Sequence, residues 1–131
     1  MQLDERRVIL LLASLILTFL ITRLILHRRP NWDLNVGKYN VHHLFTGIIL
    51  IALAGIPLVI GSGSSRLFDG ATIVFGIGLS LALDQWVYLI TTDGTNASYV
   101  RPISLWGGTV MIALACGYIA VFYFLFRMRR A

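Results

Sequence analysis

The sequence predicts an all-α protein, a bundle of four transmembrane helices that forms one domain over residues 1–131 with both termini on the same side. Hydrophobic residues make up 57% of the chain and charged residues only 13%. A soluble domain carries about 25% charged residues. A soluble chain of 131 residues would also leave too much of its surface in water to bury this much apolar area. Lipid is therefore the expected solvent for most of the chain.

The four helices are expected where four long apolar runs lie, at 8–26, 41–60, 71–90 and 103–126. Each run has at least 19 residues. At about 1.5 Å of rise per residue, such a helix crosses most or all of a hydrocarbon core about 30 Å thick. Helices satisfy their backbone hydrogen bonds within one segment, as lipid requires. Transmembrane strands are excluded because the runs are too long and do not alternate between polar and apolar residues.

The connections between the runs are short. The link at 28–40 is rich in turn-forming residues, and the link at 61–65 is a run of Gly and Ser. Pro102 suits the first residue of the last helix, where its missing N–H costs no hydrogen bond. Pro57 lies inside the second run instead, and it predicts a kink or an early end of that helix.

The net charge of +5 comes mainly from basic residues at the ends of the apolar runs. This placement favours membrane lipids as partners, through their anionic headgroups, and not nucleic acid. Six of these residues share the side that would carry both termini: Arg6, Arg7, Arg66, Arg127, Arg129 and Arg130. The other side holds four, with Arg23 near a helix end as a fifth: Arg28, Arg29, Lys38 and Arg101. The excess of basic residues on the first side predicts cytoplasmic termini.

Small residues spaced four apart predict faces where helices approach closely. Such pairs are Gly76 and Ser80, Gly78 and Ala82, and Ala113 and Gly117. In lipid, small side chains let two backbones come into van der Waals contact. These faces are expected to pack helices within one chain or between copies, and the spacing fits both.

Asp84 is the strongest functional signal because it is a carboxylate inside the third apolar run. An acid at this depth costs about 2.5–3.5 kcal/mol on insertion scales, so it needs a partner. The topology places Arg23, His42, His43 and Tyr88 in the same half of the membrane as Asp84. The sequence therefore predicts a polar cluster of these five residues.

Three interpretations of this cluster stay open. His42, His43 and Asp84 carry ligand atoms that suit zinc or non-haem iron, although adjacent histidines point about 100° apart on a helix. A metal site would favour a membrane enzyme acting on a lipid or another apolar substrate. Alternatively, Asp84 pairs with Arg23 or a histidine and locks the helices together. The third interpretation is a small oligomeric transporter that couples transport to protons or ions through Asp84.

Two segments of the central helices have recognisable patterns: 39–47 contains His42, His43 and then Gly47, and the glycine-rich segment 76–85 ends in Leu-Asp-Gln. These segments resemble a family of small prokaryotic integral membrane proteins of uncharacterised activity. The resemblance implies a signature formed by His42, His43, Gly47 and Asp84. In the family pattern a further histidine and a further acid often stand where this chain has Asn40 and Gln85.

The function expected from these observations is that of a non-enzymatic helical subunit in a prokaryotic cytoplasmic (inner) membrane. The chain is expected to form homo-oligomers or to pack within a larger membrane complex. The helix-packing residues expected to serve these contacts are Gly47, Gly76, Gly78, Ser80 and Gly117.

Overall fold

The computed structural model describes residues 4–29, 34–36, 39–61 and 66–129 of the chain. Four helices in this part are long and apolar enough to cross a membrane, which confirms the predicted fold class and makes the chain an integral membrane protein. The elements are α1 (Glu5–Arg28), β1 (Leu34–Val36), β2 (Tyr39–Val41), α2 (His43–Ile60), α3 (Arg66–Thr91), α4 (Asn96–Tyr99) and α5 (Pro102–Met128).

The long helices differ from the apolar runs mainly at their ends. α1 begins three residues before its run because the Asp4 side chain accepts hydrogen bonds from the backbone N–H groups of Arg6 and Arg7, at 3.1 and 3.4 Å. This cap satisfies amides that a helix N-terminus leaves without partners. α3 begins at Arg66, before its run at 71, and α5 begins at Pro102 as predicted.

The link between α1 and α2 contains a short antiparallel pair of strands that hydropathy does not predict. Leu34 pairs with Val41, and Val36 pairs with Tyr39. Since Val41 belongs to β2, α2 starts two residues later than its apolar run, at His43. Each strand has only three residues, so the fold remains all-α.

Pro57 does not end α2, although an early end was one of the two predicted outcomes. The helix continues to Ile60, and the Gly61 N–H closes it with a hydrogen bond to the Pro57 carbonyl at 2.8 Å. Pro57 removes the N–H that would bond to the Leu53 carbonyl, but it lies in the last turn, so only three residues of the helix follow it.

α3 is the central helix, and it packs against α1, α2 and α5. α2 and α3 approach each other closely where a Cβ added at Gly47 would lie 2.5 Å from the Gly78 carbonyl oxygen. A Cβ added at Gly78 would lie 2.7 Å from the Gly47 carbonyl oxygen. Two glycines opposite each other therefore bring the two backbones into contact, as small residues do in membrane bundles.

The remaining small-residue faces behave differently from one another. Gly76 faces Ser14 of α1, and Ser80 is 1% exposed. Gly117 on α5, in contrast, has no atom of another helix within 4 Å of an added Cβ. Gly117 therefore does not pack against another described helix of this chain, and its packing between copies stays a prediction. α5 buries Gly108 and Ile112 instead, which lie on the opposite side of the helix.

The bundle has two ends, which we name by what lies there. The terminal end holds the start of α1 and the end of α5, which meet where the Tyr123 hydroxyl donates to Glu5 at 2.8 Å. The α4 end holds α4, together with the end of α1 and the start of α5. Both described ends of the chain therefore lie at the same end of the bundle.

Candidate functional site

An ion pair between Arg23 of α1 and Asp84 of α3 lies inside the α4 end of the bundle. The Arg23 Nε donates to Asp84 Oδ1 at 2.7 Å, and the Arg23 Nη2 lies 2.6 Å from the same oxygen. The exposed fraction is 11% for the Arg23 side chain and 2% for the Asp84 side chain. The carboxylate that the sequence places in lipid is thus shielded within the protein and neutralised by a guanidinium.

The remaining donors of Arg23 bind the end of α4 and the start of α5. Nη1 donates to the Ser104 hydroxyl and to the Tyr99 carbonyl, each at 3.2 Å, and Nη2 donates to the Ser104 carbonyl at 2.8 Å. All three guanidinium nitrogens therefore have oxygen partners. Arg23 joins α1, α3 and the α4–α5 segment in one network, and its guanidinium lies 4.2 Å from the centre of the Tyr99 ring.

The second oxygen of Asp84 accepts a hydrogen bond from the Tyr99 hydroxyl. Burial, and then the charge of Asp84, raise the pKa of Tyr99 above its usual value, so the phenol keeps its proton and remains a donor. Both carboxylate oxygens therefore have partners. A network in which every buried charge is satisfied fixes one arrangement of the helices.

Gly108 of α5 makes room for this network. A Cβ added there would lie 2.5 Å from Asp84 Oδ1 and 2.9 Å from Arg23 Nη2. Only glycine lets α5 approach the ion pair this closely without displacing it.

Tyr99 reaches Asp84 because the connection between α3 and α5 is folded by local hydrogen bonds. Gly94 adopts a left-handed backbone with φ of 72°, which favours glycine. Thr95 then caps α4, and Asp93 accepts from the Thr95 hydroxyl at 2.9 Å and from the Ser98 hydroxyl. These bonds, the one from Ser98 foremost, lower the pKa of the exposed Asp93.

The other predicted members of the cluster lie around the ion pair and not in it. The Tyr88 hydroxyl donates to the Thr95 carbonyl at 3.0 Å, and the Tyr88 ring meets the Tyr99 ring edge to face at 5.3 Å. The His42 ring packs at 6.3 Å from that of Tyr88. His43 is close enough to Asp84 for an electrostatic interaction.

The geometry does not gather the predicted metal ligands. Among the described residues, no three His, Cys, Asp or Glu side chains are placed to hold a metal ion together. Asp84 directs both oxygens at Arg23 and Tyr99, whereas His42 contacts Tyr88. Both Asp84 oxygens are therefore bonded to a guanidinium and a phenol, and the three predicted ligands do not surround a common point.

Gln85 links the site to α2. Its side-chain Oε1 accepts a hydrogen bond from the Leu44 N–H at 2.9 Å. His42, the residue before α2, makes no side-chain cap, so Gln85 from α3 supplies an acceptor that the start of α2 needs. The adjacent residues Asp84 and Gln85 of α3 thus bind different helices, Asp84 binding α1 and Gln85 binding α2.

Sequence reasoning missed Tyr99, Ser104 and Gly108 as members of the site. Ser104 is a polar residue at the start of an apolar run, and this was the one signal that could have indicated it. Tyr99 lies in a connection that reads as solvent-exposed, yet its exposed fraction is 6%. Its burial depends on the fold of α4, which hydropathy does not report.

Comparison of the chain with protein-family models, with curated proteins and with solved structures finds no match. The class that fold and site define is a four-helix integral membrane protein whose α4 end is joined by a buried Arg–Asp–Tyr network. The resemblance of 39–47 and 76–85 to small prokaryotic membrane proteins stays a prediction.

Proposed function

We propose that the chain is a non-enzymatic helical subunit of a prokaryotic cytoplasmic membrane that associates with copies of itself or within a larger membrane complex. The observation that carries this proposal is the open small-residue face of α5. Ala113 is exposed there, and an added Cβ at Gly117 would touch no other helix. Val110 and Val121, on the same face, are 53% and 58% exposed.

The other small-residue faces differ from this one because they are covered within the chain. Gly47 and Gly78 pack against each other, and Gly76 packs against Ser14. Helix association in lipid depends on close packing of small residues because lipid offers no hydrophobic drive. The face at Ala113 and Gly117 has the same spacing as the occupied ones and has no partner among the described residues of the chain. It is suited to a helix of another chain.

The chemistry of the buried site favours a structural role for the Arg23–Asp84 pair. Both Asp84 oxygens and all three guanidinium nitrogens of Arg23 have partners in the described part of the chain. A general base or a coupling carboxylate needs an oxygen that can meet a substrate or a mobile proton. The pair instead acts as a lock between α1, α3 and α5.

The proposed topology places both termini in the cytoplasm. The terminal end carries six arginines in the sequence, and the α4 end carries four basic residues beside Arg23. Because Arg23 is neutralised by Asp84, it adds little to the charge of the α4 end. The positive-inside rule then favours the terminal end as the cytoplasmic one.

Disulfide crosslinking in native membranes tests the association. In a Cys116→Ser background, Ala113→Cys is expected to form a crosslinked dimer or a crosslink to a larger subunit. Ala52→Cys, on the exposed side of α2, is the matched control and is expected to give neither. Gly117→Leu in the Ala113→Cys chain should abolish the crosslink, whereas Gly70→Leu, another glycine with open space, should preserve it. Equal crosslinking at Ala113 and Ala52 would refute the proposal.

A further inference from the structure

A cleft of about 310 Å³ opens between α1 and α5 at the α4 end. Apolar walls come from Leu24, Val100 and Leu105, and Arg23, His27 and Tyr99 complete the lining. Leu24 and Leu105 are 53% and 46% exposed, so the cleft faces the lipid. It is an apolar space that begins beside the membrane surface.

Two arginines lie on the surface side of this cleft. Arg28 follows Leu24 by one helical turn, and Arg101 precedes Leu105 by one turn, so each lies above one apolar wall. Both arginines are exposed, and among the described residues neither forms a direct ion pair, although Arg101 is close enough to Asp93 for an electrostatic interaction. Exposed cations at this depth attract anionic headgroups, at about 1 kcal/mol each.

The floor and the mouth of the cleft differ in whether their arginines already have partners. Arg23 contributes to the floor, but its nitrogens already bind Asp84, Tyr99 and Ser104. A ligand phosphate therefore has to be held at the mouth, by Arg28 and Arg101, with His27 beside them. An acyl chain below it would lie between Leu24 and Leu105.

We propose that this cleft binds one anionic phospholipid, with its phosphate between Arg28 and Arg101 and one acyl chain between Leu24 and Leu105. Charge complementarity favours this occupant over a zwitterionic lipid. The apolar groove at the terminal end lacks the same argument, because Arg7, which lines it, is already bonded to Asp4 and Asp69. The binding does not depend on oligomer formation, so it can hold or fail independently of the proposed function.

Native mass spectrometry of the detergent-purified chain, titrated with phosphatidylglycerol or phosphatidylcholine, tests the site. The chain is expected to hold one phosphatidylglycerol about tenfold more tightly than phosphatidylcholine. Arg28→Gln/Arg101→Gln should remove this preference. Arg66→Gln/Arg129→Gln removes the same charge at the terminal end and should preserve it. Equal losses in both double variants would show attraction by net charge alone and overturn the site.

A second pair of variants tests the acyl-chain position. Leu24→Trp fills the cleft and is expected to weaken phosphatidylglycerol binding by at least about tenfold, a loss of roughly 1.4 kcal/mol. Leu17→Trp is the matched control, since Leu17 is 55% exposed on the same helix and does not line the cleft. Unchanged binding by Leu24→Trp, with helix content as in the parent chain, would exclude the cleft as the lipid site.

Discussion

The two ends of the bundle both join α1 to α3 through arginine and aspartate, but in opposite environments. At the α4 end, the Arg23–Asp84 pair is nearly closed to solvent, and five polar contacts surround the guanidinium. At the terminal end, Asp69 lies 3.1 Å from Arg6 and 3.5 Å from Arg7, and these arginine side chains are 71% and 24% exposed. The same residue types thus form a buried lock at one end and a more exposed contact at the other.

The packing of the helices differs in the same way. At the α4 end, Gly108 brings α5 directly onto the ion pair. Toward the terminal end, an apolar groove of about 520 Å³ separates α3 from α5, between Phe75 and Tyr118 among others. A buried charge network tolerates no gap because each unsatisfied group is costly, whereas lipid can fill an apolar groove. The α4 end is therefore expected to determine the stability of the bundle.

Removing Arg23 should give the largest effect. Arg23→Met leaves Asp84 buried without its cation and is expected to lower the free energy of unfolding by about 3–5 kcal/mol. The control Arg6→Met removes an exposed arginine from Asp69, which keeps its contact with Arg7, and should cost below about 1 kcal/mol. Unfolding by sodium dodecyl sulfate in mixed micelles, followed by circular dichroism, measures both. Similar losses of unfolding free energy in the two variants would mean that the α4 end does not contribute more to stability than the terminal end.

A methyl group at Gly108 should disturb the same network by crowding. Gly108→Ala is expected to cost near 3 kcal/mol, the upper part of the range for overpacked sites, because Arg23 and Asp84 are both held by other partners. Gly117→Ala, on the open face of α5, should be neutral or stabilising by up to about 1 kcal/mol in a monomer. The same unfolding assay compares the pair, and a neutral Gly108→Ala would mean that α5 is free to move away.

Removing the Tyr99 hydroxyl should have a smaller effect. Tyr99→Phe leaves one Asp84 oxygen without its donor, at a cost of about 1–2 kcal/mol, while Arg23 still neutralises the carboxylate. Tyr88 is 1% exposed as well, but its hydroxyl donates to the neutral Thr95 carbonyl and not to a carboxylate, so Tyr88→Phe should cost less. A larger loss of unfolding free energy in Tyr88→Phe than in Tyr99→Phe would mean that Tyr88, and not Tyr99, is the tyrosine that stabilises this end of the bundle.

Acidification should loosen the connection around α4. The pKa of Asp93 is lower in the folded chain than in the unfolded one, so its contribution to stability is complete above the unfolded value of about 3.9. The contribution is lost as the pH falls through the lower folded pKa. Amide exchange at Thr95 and Ser98, extrapolated to a common intrinsic rate, should accelerate in that window. Asp93→Asn should show no such pH dependence.

The four long helices could be predicted because a helix that crosses lipid must be long and apolar, and both properties can be read from the hydropathy of the sequence. Asp84 was found for the same reason, since a carboxylate in an apolar run needs a partner. Its actual partners could not be chosen in advance, because Arg23, His42 and His43 all lie at a suitable depth. The rotation of α1 about its axis decides between them, and this rotation follows from packing against α3.

The small-residue faces show the same limit. Gly76 with Ser80 and Ala113 with Gly117 have identical spacing, yet only the first pair is covered by a neighbouring helix. Spacing defines a face on one helix, but the neighbour's position depends on the whole bundle. β1 and β2 were missed for another reason, because a three-residue strand in a polar link is too short to show a period.

The ion pair also has a consequence for biosynthesis. Arg23 is translated 61 residues before Asp84, so α1 enters the bilayer before its partner exists. Arg23 stands five residues from the end of α1, within reach of the headgroups for a long flexible side chain. Arg23 is therefore expected to lie at the headgroups until α3 is inserted, and its pairing with Asp84 is expected to join the separate spans into one bundle.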